Sequence, residues 1–503
     1  MATYVSPGVY IREFDFSQYV VAISTTVFAI VGTAKKGAVD ERILITNEQQ
    51  LIEKVGTPSA DIGYGVYAAI QYLRRGSQLW YVRVANEATL ETASVTLANS
   101  SGNTITMTAE SAGTWAEEAG LYFTVEDGTD PGKKFVKVYL DEIIQEQFDN
   151  LSTDPMDDNF WETVFEEQSQ LLDAEYLVAD NGQPDNGTYT LAGGNNGVDG
   201  ITDADYIGVQ TPNGATGLQL FANPEAVDIN MLAIPGISSG AVINSIITLC
   251  ELRGDVLGLI DPPFGFNVQD VVDWHNGVGF SHAAFVSNKA ALYWPWVRMP
   301  DAYNATETYI PPSGIMAQVM AYTDQSTETW FAPAGLTRGR LFEALEVEYS
   351  ATQGERDYMY GPGNGNAVNP IVDFTRDGIN VWGQRTLQRM PSSLDRVNVR
   401  RLLFFIEKSI AISSRFLVFD QNDEILWERF KNLVTPFLES IAARRGLEDF
   451  QVVADESTTT AFRRNNNEMN AKVMLIPTKS AEKIIIDFAL FASGATFAEP
   501  SSF

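Results

Sequence analysis

A serine in a glycine-flanked turn is the first feature of this sequence that could do chemistry. Residues 236–240 read Gly-Ile-Ser-Ser-Gly after an apolar stretch and before a helical pattern, the context of the G-x-S-x-G turn that exposes a hydrolase nucleophile. The candidate acid and base, in the required order, are Asp255 or Asp261 and then His275 or His282. They follow too closely for that fold, and Pro235 disturbs the approach to the turn. Ser238 or Ser239 is more simply the N-cap of the next helix, and a serine esterase using Ser238 stays as an alternative.

Metal and nucleotide sites have weaker candidates. Asp199, Asp203 and Asp205 could offer oxygens to calcium, but their spacing fits neither an EF-hand nor the glycine-rich calcium repeat. The glycine-containing segments 32–37 and 361–366 lack the residue order of a phosphate-binding loop. Two histidines and one cysteine are too few for a zinc site or a disulfide framework. The sequence therefore predicts no catalytic residue, no metal site and no cofactor.

The elements around the serine turn alternate between strand and helix. Apolar runs at 229–234 and 256–260 are typical of buried strands, and 241–252 between them has the composition of a helix. An aromatic strand follows at 293–298. This alternation predicts an α/β layer between about 206 and 369.

The last third of the chain carries the clearest helical pattern. Apolar residues recur at helical spacing in Val399, Leu402, Leu403, Ile406 and Ile410. A second helix is predicted to start near Asp423, and Pro436 should kink it or start a new segment. Strands are predicted at 472–476 and 483–491.

Charge is distributed unevenly along the 503 residues. The chain carries 65 acidic and 34 basic residues, a net charge of −31, which argues against binding to nucleic-acid phosphates. Residues 86–210 hold 25 acidic residues against Lys133, Lys134 and Lys137 alone. Alternating segments such as 104–108 and 135–140 predict that this stretch is mainly β, and its charge predicts that it faces solvent.

Two long uncharged stretches could be mistaken for membrane spans. Residues 16–34 contain a central Ser-Thr-Thr, and residues 229–250 are divided by Pro235 and Gly236. Both fit buried strands and helices better than a span. The first residues also lack the basic and apolar regions of a signal peptide, so we expect no membrane insertion.

The opening residues 5–13, Val-Ser-Pro-Gly-Val-Tyr-Ile-Arg-Glu, resemble the start of contractile tail sheath proteins. Further blocks that resemble this family follow in the family's order. They are residues 31–37, 67–84, 191–208, 293–296, 311–314, 332–334, 381–387, 398–402 and 422–427. The blocks cover both ends and the centre of the chain, whereas the acidic stretch matches only by position.

The resemblance implies a structural subunit and not an enzyme. Sheath subunits of this family assemble as stacked hexameric rings around a tail tube and contract to drive the tube through a target cell envelope. The implied partners are further copies of the chain, the tail tube protein, and baseplate and tail terminator proteins. The implied location is the virion tail, after assembly in the host cytoplasm. A static virion structural protein is the second alternative.

The family's terminal arms add strands to sheets of neighbouring subunits, and both ends of this chain fit that use. The candidate arm residues are Val9, Tyr10, Ile11, Ile484, Ile486 and Phe488. Free apolar strands invite aggregation unless something pairs with them. Pairing with a neighbour and pairing within the same chain both satisfy this requirement.

Arginine residues on the C-terminal helices are the candidate contacts to the tube or to a neighbour. Arg396 and Arg400 lie one helical turn apart with Arg401 beside them, and Arg444 and Arg445 follow near the end of the next helix. A solvated helix side explains the first group equally well, and so does docking of an acidic partner, including the acidic part of this chain itself. We expect the charge-balanced C-terminal third to face the tube and the acidic insert to face outward.

Together, these patterns predict a multidomain protein of mixed α/β class. The expected segments are an N-terminal arm (1–25), the first part of an α/β core (26–85), an acidic and mainly β inserted outer domain (86–205), the rest of the α/β core (206–369), a C-terminal sheath domain (370–490) and a C-terminal tail (491–503).

Overall fold

The computed structural model describes residues 26–177, 182–212, 214–361 and 365–486. The predicted N-terminal arm with Val9, Tyr10 and Ile11, the predicted tail and Phe488 lie outside the described residues. The first described segment begins the main sheet with an apolar run that is buried throughout, as expected for a strand covered on both faces. Its elements are β1 (Phe28–Gly32), β2 (Arg42–Ile45), α1 (Glu48–Val55), α2 (Gly65–Leu73) and β3 (Leu79–Arg83).

A mainly β unit follows, at the position of the predicted insert. Its elements are β4 (Leu90–Glu91), β5 (Ser94–Asn99), β6 (Gly102–Ala109), α3 (Trp115–Glu118), β7 (Tyr122–Asp127), β8 (Lys134–Leu140), β9 (Ile143–Leu151), α4 (Trp161–Gln168), β10 (Leu172–Tyr176), β11 (Gly187–Thr190) and β12 (Asn195–Asn196). Two antiparallel sheets, ordered β10-β6-β5 and β11-β7-β8-β9, share one apolar cluster that includes Met107, Phe123 and Trp161. The unit therefore has a hydrophobic core of its own.

The central part alternates strands and helices as the sequence predicts. Its elements are α5 (Asp203–Ile207), β13 (Gln210–Thr211), β14 (Gly214–Ala215), β15 (Met231–Ala233), α6 (Gly240–Arg253), β16 (Leu257–Ile260), α7 (Val268–Asn276), β17 (Ala290–Trp294), β18 (Val297–Asp301), β19 (Thr306–Ile310), α8 (Pro312–Ser326), α9 (Gly335–Arg338), β20 (Glu346–Val347), α10 (Gln353–Tyr360), β21 (Val368–Phe374) and β22 (Gly378–Val381).

The C-terminal part is built from two long helices and a small sheet. Its elements are α11 (Val397–Ser414), α12 (Glu424–Ala443), β23 (Leu447–Val453), α13 (Ala461–Asn465) and β24 (Lys472–Pro477). The side chain of Asp423 caps α12 by accepting from the backbone N–H of Leu426 at 3.0 Å, as its position predicts. Pro436 lies inside α12 without starting a new segment, because the buried Leu433 and Phe437 on either side pack in one cluster with α11.

The main sheet joins the first and central parts. Its order is β2-β3-β1-β15-β16-β17-β21-β22, and the six inner strands are parallel while β2 and β22 are antiparallel edges. Alternate residues of β1 face opposite sides, with Phe28 and Ile30 packing in one cluster with α2 and α8 and Ala29 and Val31 packing with α6. Helices therefore cover both faces, and the predicted mixed α/β class is confirmed.

Arg83 at the end of β3 joins the main sheet to the inserted unit. Its guanidinium donates to the backbone carbonyls of Gly37 and Ala112, both at 2.7 Å, and of Asn196 at 3.4 Å. Burial lowers the pKa of Arg83 to about 10. The backbone N–H of Asn86 also donates to the carbonyl of Gly197 at 2.7 Å. The segment that enters the unit and the segment that leaves it therefore lie side by side.

The predicted strand at 483–491 is not present in the part that the structure describes. Residues 483–486 adopt no regular structure, and 487–491 lie outside the described residues. Ile484, Ile485 and Ile486 are each at least 66% exposed. A strand needs a hydrogen-bonding partner, and the described residues of this chain offer none at that position.

Helices α2 and α8 pack closely against each other where Gly314 of α8 meets Ala68 of α2. A Cβ atom on Gly314 would lie 2.4 Å from the Cα and 2.6 Å from the Cβ of Ala68. Gly314→Ala should therefore lower the free energy of unfolding by about 1 to 3 kcal/mol through overpacking. Gly354→Ala is the matched control, since a Cβ there meets nothing within 4 Å and should stabilise by a few tenths to about 1 kcal/mol. Urea unfolding measures both, and equal midpoints would contradict the close approach.

Candidate assembly surfaces

The glycine-flanked serine turn does not form a catalytic triad in the described structure. Ser239 is the residue that precedes α6, as predicted for an N-cap, but its hydroxyl hydrogen-bonds the Asp203 carboxylate instead of the helix backbone. Asp255 is paired with Arg253 and Lys408. Within the described residues, neither Ser238 nor Ser239 hydrogen-bonds to an imidazole.

Both histidine side chains pack against other parts of the protein. His275 is fully buried, and burial together with the nearby Arg389 and Arg385 lowers its pKa to about 4. His282 stacks on Phe285 with ring centroids 4.4 Å apart. The fully buried His275 is enclosed away from both serines, and His282 Nδ1 lies 2.9 Å from the backbone carbonyl of Ala283.

Asp261 is buried at the carboxyl end of β16 and holds two other segments in place. Its carboxylate accepts from the backbone N–H of Ser313 at 2.8 Å, from the Ser313 hydroxyl at 2.6 Å and from the backbone N–H of Gly236 at 3.2 Å. It therefore caps the first turn of α8. Burial outweighs these hydrogen bonds and raises the pKa of Asp261 to about 6.

This raised pKa predicts a pH dependence of stability. Because the folded chain holds the Asp261 proton more tightly than the unfolded chain does, the contribution favours folding below about pH 4 and is lost as the pH rises to about 6. Across this window the wild type should lose about 2 to 3 kcal/mol more stability than Asp261→Asn. Thermal unfolding from pH 4 to 7 measures the difference, with the exposed Asp373→Asn as control. Equal slopes in wild type and Asp261→Asn would contradict the assignment.

Two of the three aspartates considered as calcium ligands have other contacts. Asp205 forms a capping box with Thr202 at the start of α5, accepting from its backbone N–H at 2.7 Å, and Asp203 binds Ser239. In the described ranges, no group of three or more His, Cys, Asp or Glu side chains is arranged to hold a metal ion.

The arginines predicted to form a docking face on α11 point into the protein. Arg400 is 6% exposed and lies over the Phe404 ring at 4.2 Å. Arg401 is 4% exposed and donates to the Asp324 carboxylate of α8 at 2.6 Å. The prediction of an exposed face at these two positions is wrong for this fold, because residues 397–402 are all buried.

The remaining arginine candidates differ in exposure. Arg396 is three-quarters buried and forms a double hydrogen bond with Glu482. Arg444 is half-exposed, pairs with Glu328 at 2.9 Å and lies over the Trp330 ring at 5.0 Å. Arg445 is exposed. Of the five predicted contacts, Arg444 and Arg445 are therefore the ones on the surface.

The small C-terminal sheet has two open edges. Strands β23 and β24 pair with each other in antiparallel register, and no other described strand pairs with either. One face, with Phe450 and Leu475, packs on α11 and α12. The other face exposes Met474 and Ile476. Unpaired edges next to exposed apolar side chains are typical of a sheet that accepts further strands.

Two family models match the central and C-terminal parts of the chain. The phage tail sheath protein central domain matches residues 199–387, and the phage tail sheath C-terminal domain matches residues 390–491. Together they cover more than half of the sequence. The chain belongs to the phage tail sheath family.

Known sheath proteins resemble this chain in sequence and in fold. The tail sheath protein of Vibrio phage KVP40 is 27% identical over 344 residues, which make up 64% of this chain and 49% of that protein. This sheath chain spans about half the length of the curated relatives it matches.

Solved sheath structures share the architecture. A sheath tail protein from Desulfitobacterium hafniense superposes with a TM-score of 0.61 at 14% identity, over 93% of this chain and 100% of that one. The sheath complex of the PVC extracellular contractile injection system, in its contracted state, gives a TM-score of 0.57 at 17% identity, over 97% and 98% of the two chains.

The inserted unit of this sheath chain carries little compensation for its negative charge. Lys133 pairs with Asp157, Lys134 with Asp127 and Lys137 with Glu126. All three lysines of the stretch are thus paired within it, so a strong net negative surface remains.

No helix in the described ranges combines the length and the apolar character that crossing a bilayer requires.

Sequence reasoning missed several residues that organise the C-terminal part of this sheath chain. Strand β23 was not predicted, although Phe450, Gln451 and Val452 alternate in polarity. The contacts of Ser480 and Glu482 with α11 had no sequence signal, because their partners lie more than 80 residues away.

Proposed function

We propose that the protein is the structural subunit of a contractile tail sheath. It assembles as stacked hexameric rings around a tail tube and contracts to drive the tube through a target cell envelope. The observation that carries this proposal is the pair of family matches across 199–387 and 390–491. The proposed location is the tail of a virion, assembled in the host cytoplasm, with baseplate and tail terminator proteins as further partners.

Strand exchange between copies is the proposed link in the lattice. The sheet of β23 and β24 has two open edges among the described residues, and the exposed Ile484, Ile485 and Ile486 lead into the C-terminal arm. Added strands from neighbouring copies would satisfy the free backbone groups and cover the apolar side chains. Residues 9–11 and 484–488 are the proposed donors.

The C-terminal part is the proposed tube-facing side, with the acidic unit outside. Exposed Arg445 and half-exposed Arg444 are the candidates for contact with the tube or a neighbour. The surplus negative charge of the inserted unit favours a position in solvent, where like charges can spread apart. We also propose that this acidic outer domain begins at residue 86 and ends at residue 205.

Electron microscopy of the purified protein tests the proposal, first alone over a range of concentrations and then with tube protein added. We expect hollow helical tubes with six-fold rings. A contractile sheath should form a long, narrow lattice around the tube and a shorter, wider one without it. A single lattice under all conditions would indicate a static structural protein, and persistent monomers even with the tube would overturn the proposal.

A serine esterase is not proposed. Both candidate acids have other contacts, since Asp255 pairs with Arg253 and Lys408 and Asp261 caps the first turn of α8, and His275 is fully buried. The sheath family is a structural one, and the geometry at Ser238 gives no separate support for catalysis.

A further inference from the structure

The segment that follows β24 returns to the rest of the chain through two polar side chains, Ser480 and Glu482. Their partners belong to three different stretches of sequence. They are Tyr360 at the end of α10, Gln384 after β22, and Arg396 and Asn398 at the start of α11. We call these six residues the arm clasp. Tyr360 and Gln384 lie in the region matched by the central-domain model, and the other four lie in the region matched by the C-terminal model.

Glu482 is the centre of the arm clasp. Its Oε1 accepts from Arg396 Nε at 2.6 Å and its Oε2 accepts from Arg396 Nη2 at 2.9 Å, the bidentate geometry of a strong ion pair. Oε1 also accepts from the Tyr360 hydroxyl at 3.2 Å and from Gln384 Nε2 at 3.1 Å. Burial alone would raise the pKa of Glu482, but the hydrogen bonds and charge of Arg396 hold it below its usual range.

Ser480 adds a second attachment two residues earlier. Its Oγ accepts from Gln384 Nε2 at 3.2 Å and from Asn398 Nδ2 at 3.3 Å. Gln384 therefore holds both Ser480 and Glu482. Residues 479–486 all lie at the surface, so it is the hydrogen bonds of Ser480 and Glu482 that hold the first part of this segment, and Ile484, two residues further on, is 81% exposed.

We propose that the arm clasp positions the C-terminal arm, so that residues 484–486 leave the subunit at a fixed point where a second copy of the chain can take them up. Ordering a free residue costs about 1 to 2 kcal/mol. An arm root that is already ordered removes that cost for residues 479–483 before any partner binds. The role of the second copy rests on the proposed sheath function, whereas the clasp itself is a property of the single chain.

Limited trypsin digestion tests the clasp in the full chain. Lys479 and Lys483 are exposed cleavage sites on either side of Glu482, and cutting there requires the segment to open locally. Glu482→Gln keeps the side-chain shape but removes the charge, so we expect cleavage at these lysines at least tenfold faster than in wild type. Glu448→Gln, an exposed carboxylate of β23, is the matched control and should cleave at the wild-type rate.

A charge-swapped pair separates positioning from a simple loss of folding. Because Glu482→Arg adds a trypsin site, only cleavage after Lys479 is compared. The variant with Arg396→Glu and Glu482→Arg together should recover slow cleavage there, whereas each single change should not. Unchanged cleavage in Glu482→Gln would overturn the clasp, whatever the lattice does.

Assembly provides the second readout. Glu482→Gln should need at least a tenfold higher protein concentration than wild type to form a lattice, with a thermal unfolding midpoint close to the wild-type value. Faster cleavage with unchanged assembly would overturn the positioning role. Absence of a wild-type lattice, even with tube protein, would count against the proposed function and leave the digestion result as an independent test of the clasp.

Discussion

Deletion of residues 484–503 should leave a folded monomer that no longer forms a helical lattice. The deletion keeps Ser480 and Glu482 with their contacts and removes the exposed isoleucines that follow. Burying two isoleucines against a neighbour contributes about 3 to 6 kcal/mol, so their loss should raise the concentration needed for assembly more than a hundredfold. Negative-stain microscopy and analytical ultracentrifugation measure the effect.

Point variants on the two faces of the predicted arm strand make this test sharper. Successive residues of a strand face opposite sides, so Ile484 and Ile486 share one face and Ile485 lies on the other. Ile484→Asp with Ile486→Asp should reproduce the deletion, and Ile485→Asp should weaken assembly less. Helical tubes formed by the deleted protein at wild-type concentration would show that the arm does not link copies.

Arg401→Met should destabilise the fold and not merely weaken a docking contact. Arg401 and Asp324 have side chains that are 4% and 7% exposed, and their charged atoms lie 2.6 Å apart. Arg401→Met removes the cation that pairs with this buried carboxylate, and breaking such a pair costs about 3 to 5 kcal/mol. Urea unfolding followed by tryptophan fluorescence measures the loss.

Two comparisons show whether the effect comes from the buried pair. Replacing both partners, with Arg401→Met and Asp324→Leu, should recover most of the lost stability, because no unpaired charge remains. Arg445→Met, at an exposed position, should change stability by less than about 0.5 kcal/mol. A stable Arg401→Met protein with salt-dependent loss of assembly would instead restore the docking role that the helix spacing first suggested.

Local patterns in the sequence predicted much of the architecture. The apolar spacing from Val399 to Ile410 predicted α11, and Asp423 marked the start of α12. The strand and helix alternation after 229 predicted the central layer, and the acidic, alternating stretch after 86 predicted a mainly β unit. These features were readable because helix and strand periods depend on residues a few positions apart.

Local sequence patterns did not predict which residues the charged side chains contact. Arg396, Arg400 and Arg401 lie within six residues of sequence, yet they contact Glu482, Phe404 and Asp324 respectively. Helical spacing shows that such residues share a region of the helix, but it does not show whether solvent or another helix covers that region. The tertiary packing around α11 decided that Arg400 and Arg401 are buried.

The sequence by itself therefore determined the two long C-terminal helices, the central alternation of strands and helices, the mixed α/β class and the resemblance to sheath proteins. Only the tertiary structure decided that Asp203 binds Ser239, that β23 and β24 form a sheet with open edges, and that Glu482 closes the arm clasp. The physical reason is separation along the chain. Secondary structure is encoded by neighbours within a few residues, whereas Arg396 and Glu482 are 86 positions apart and meet only when the whole chain has folded.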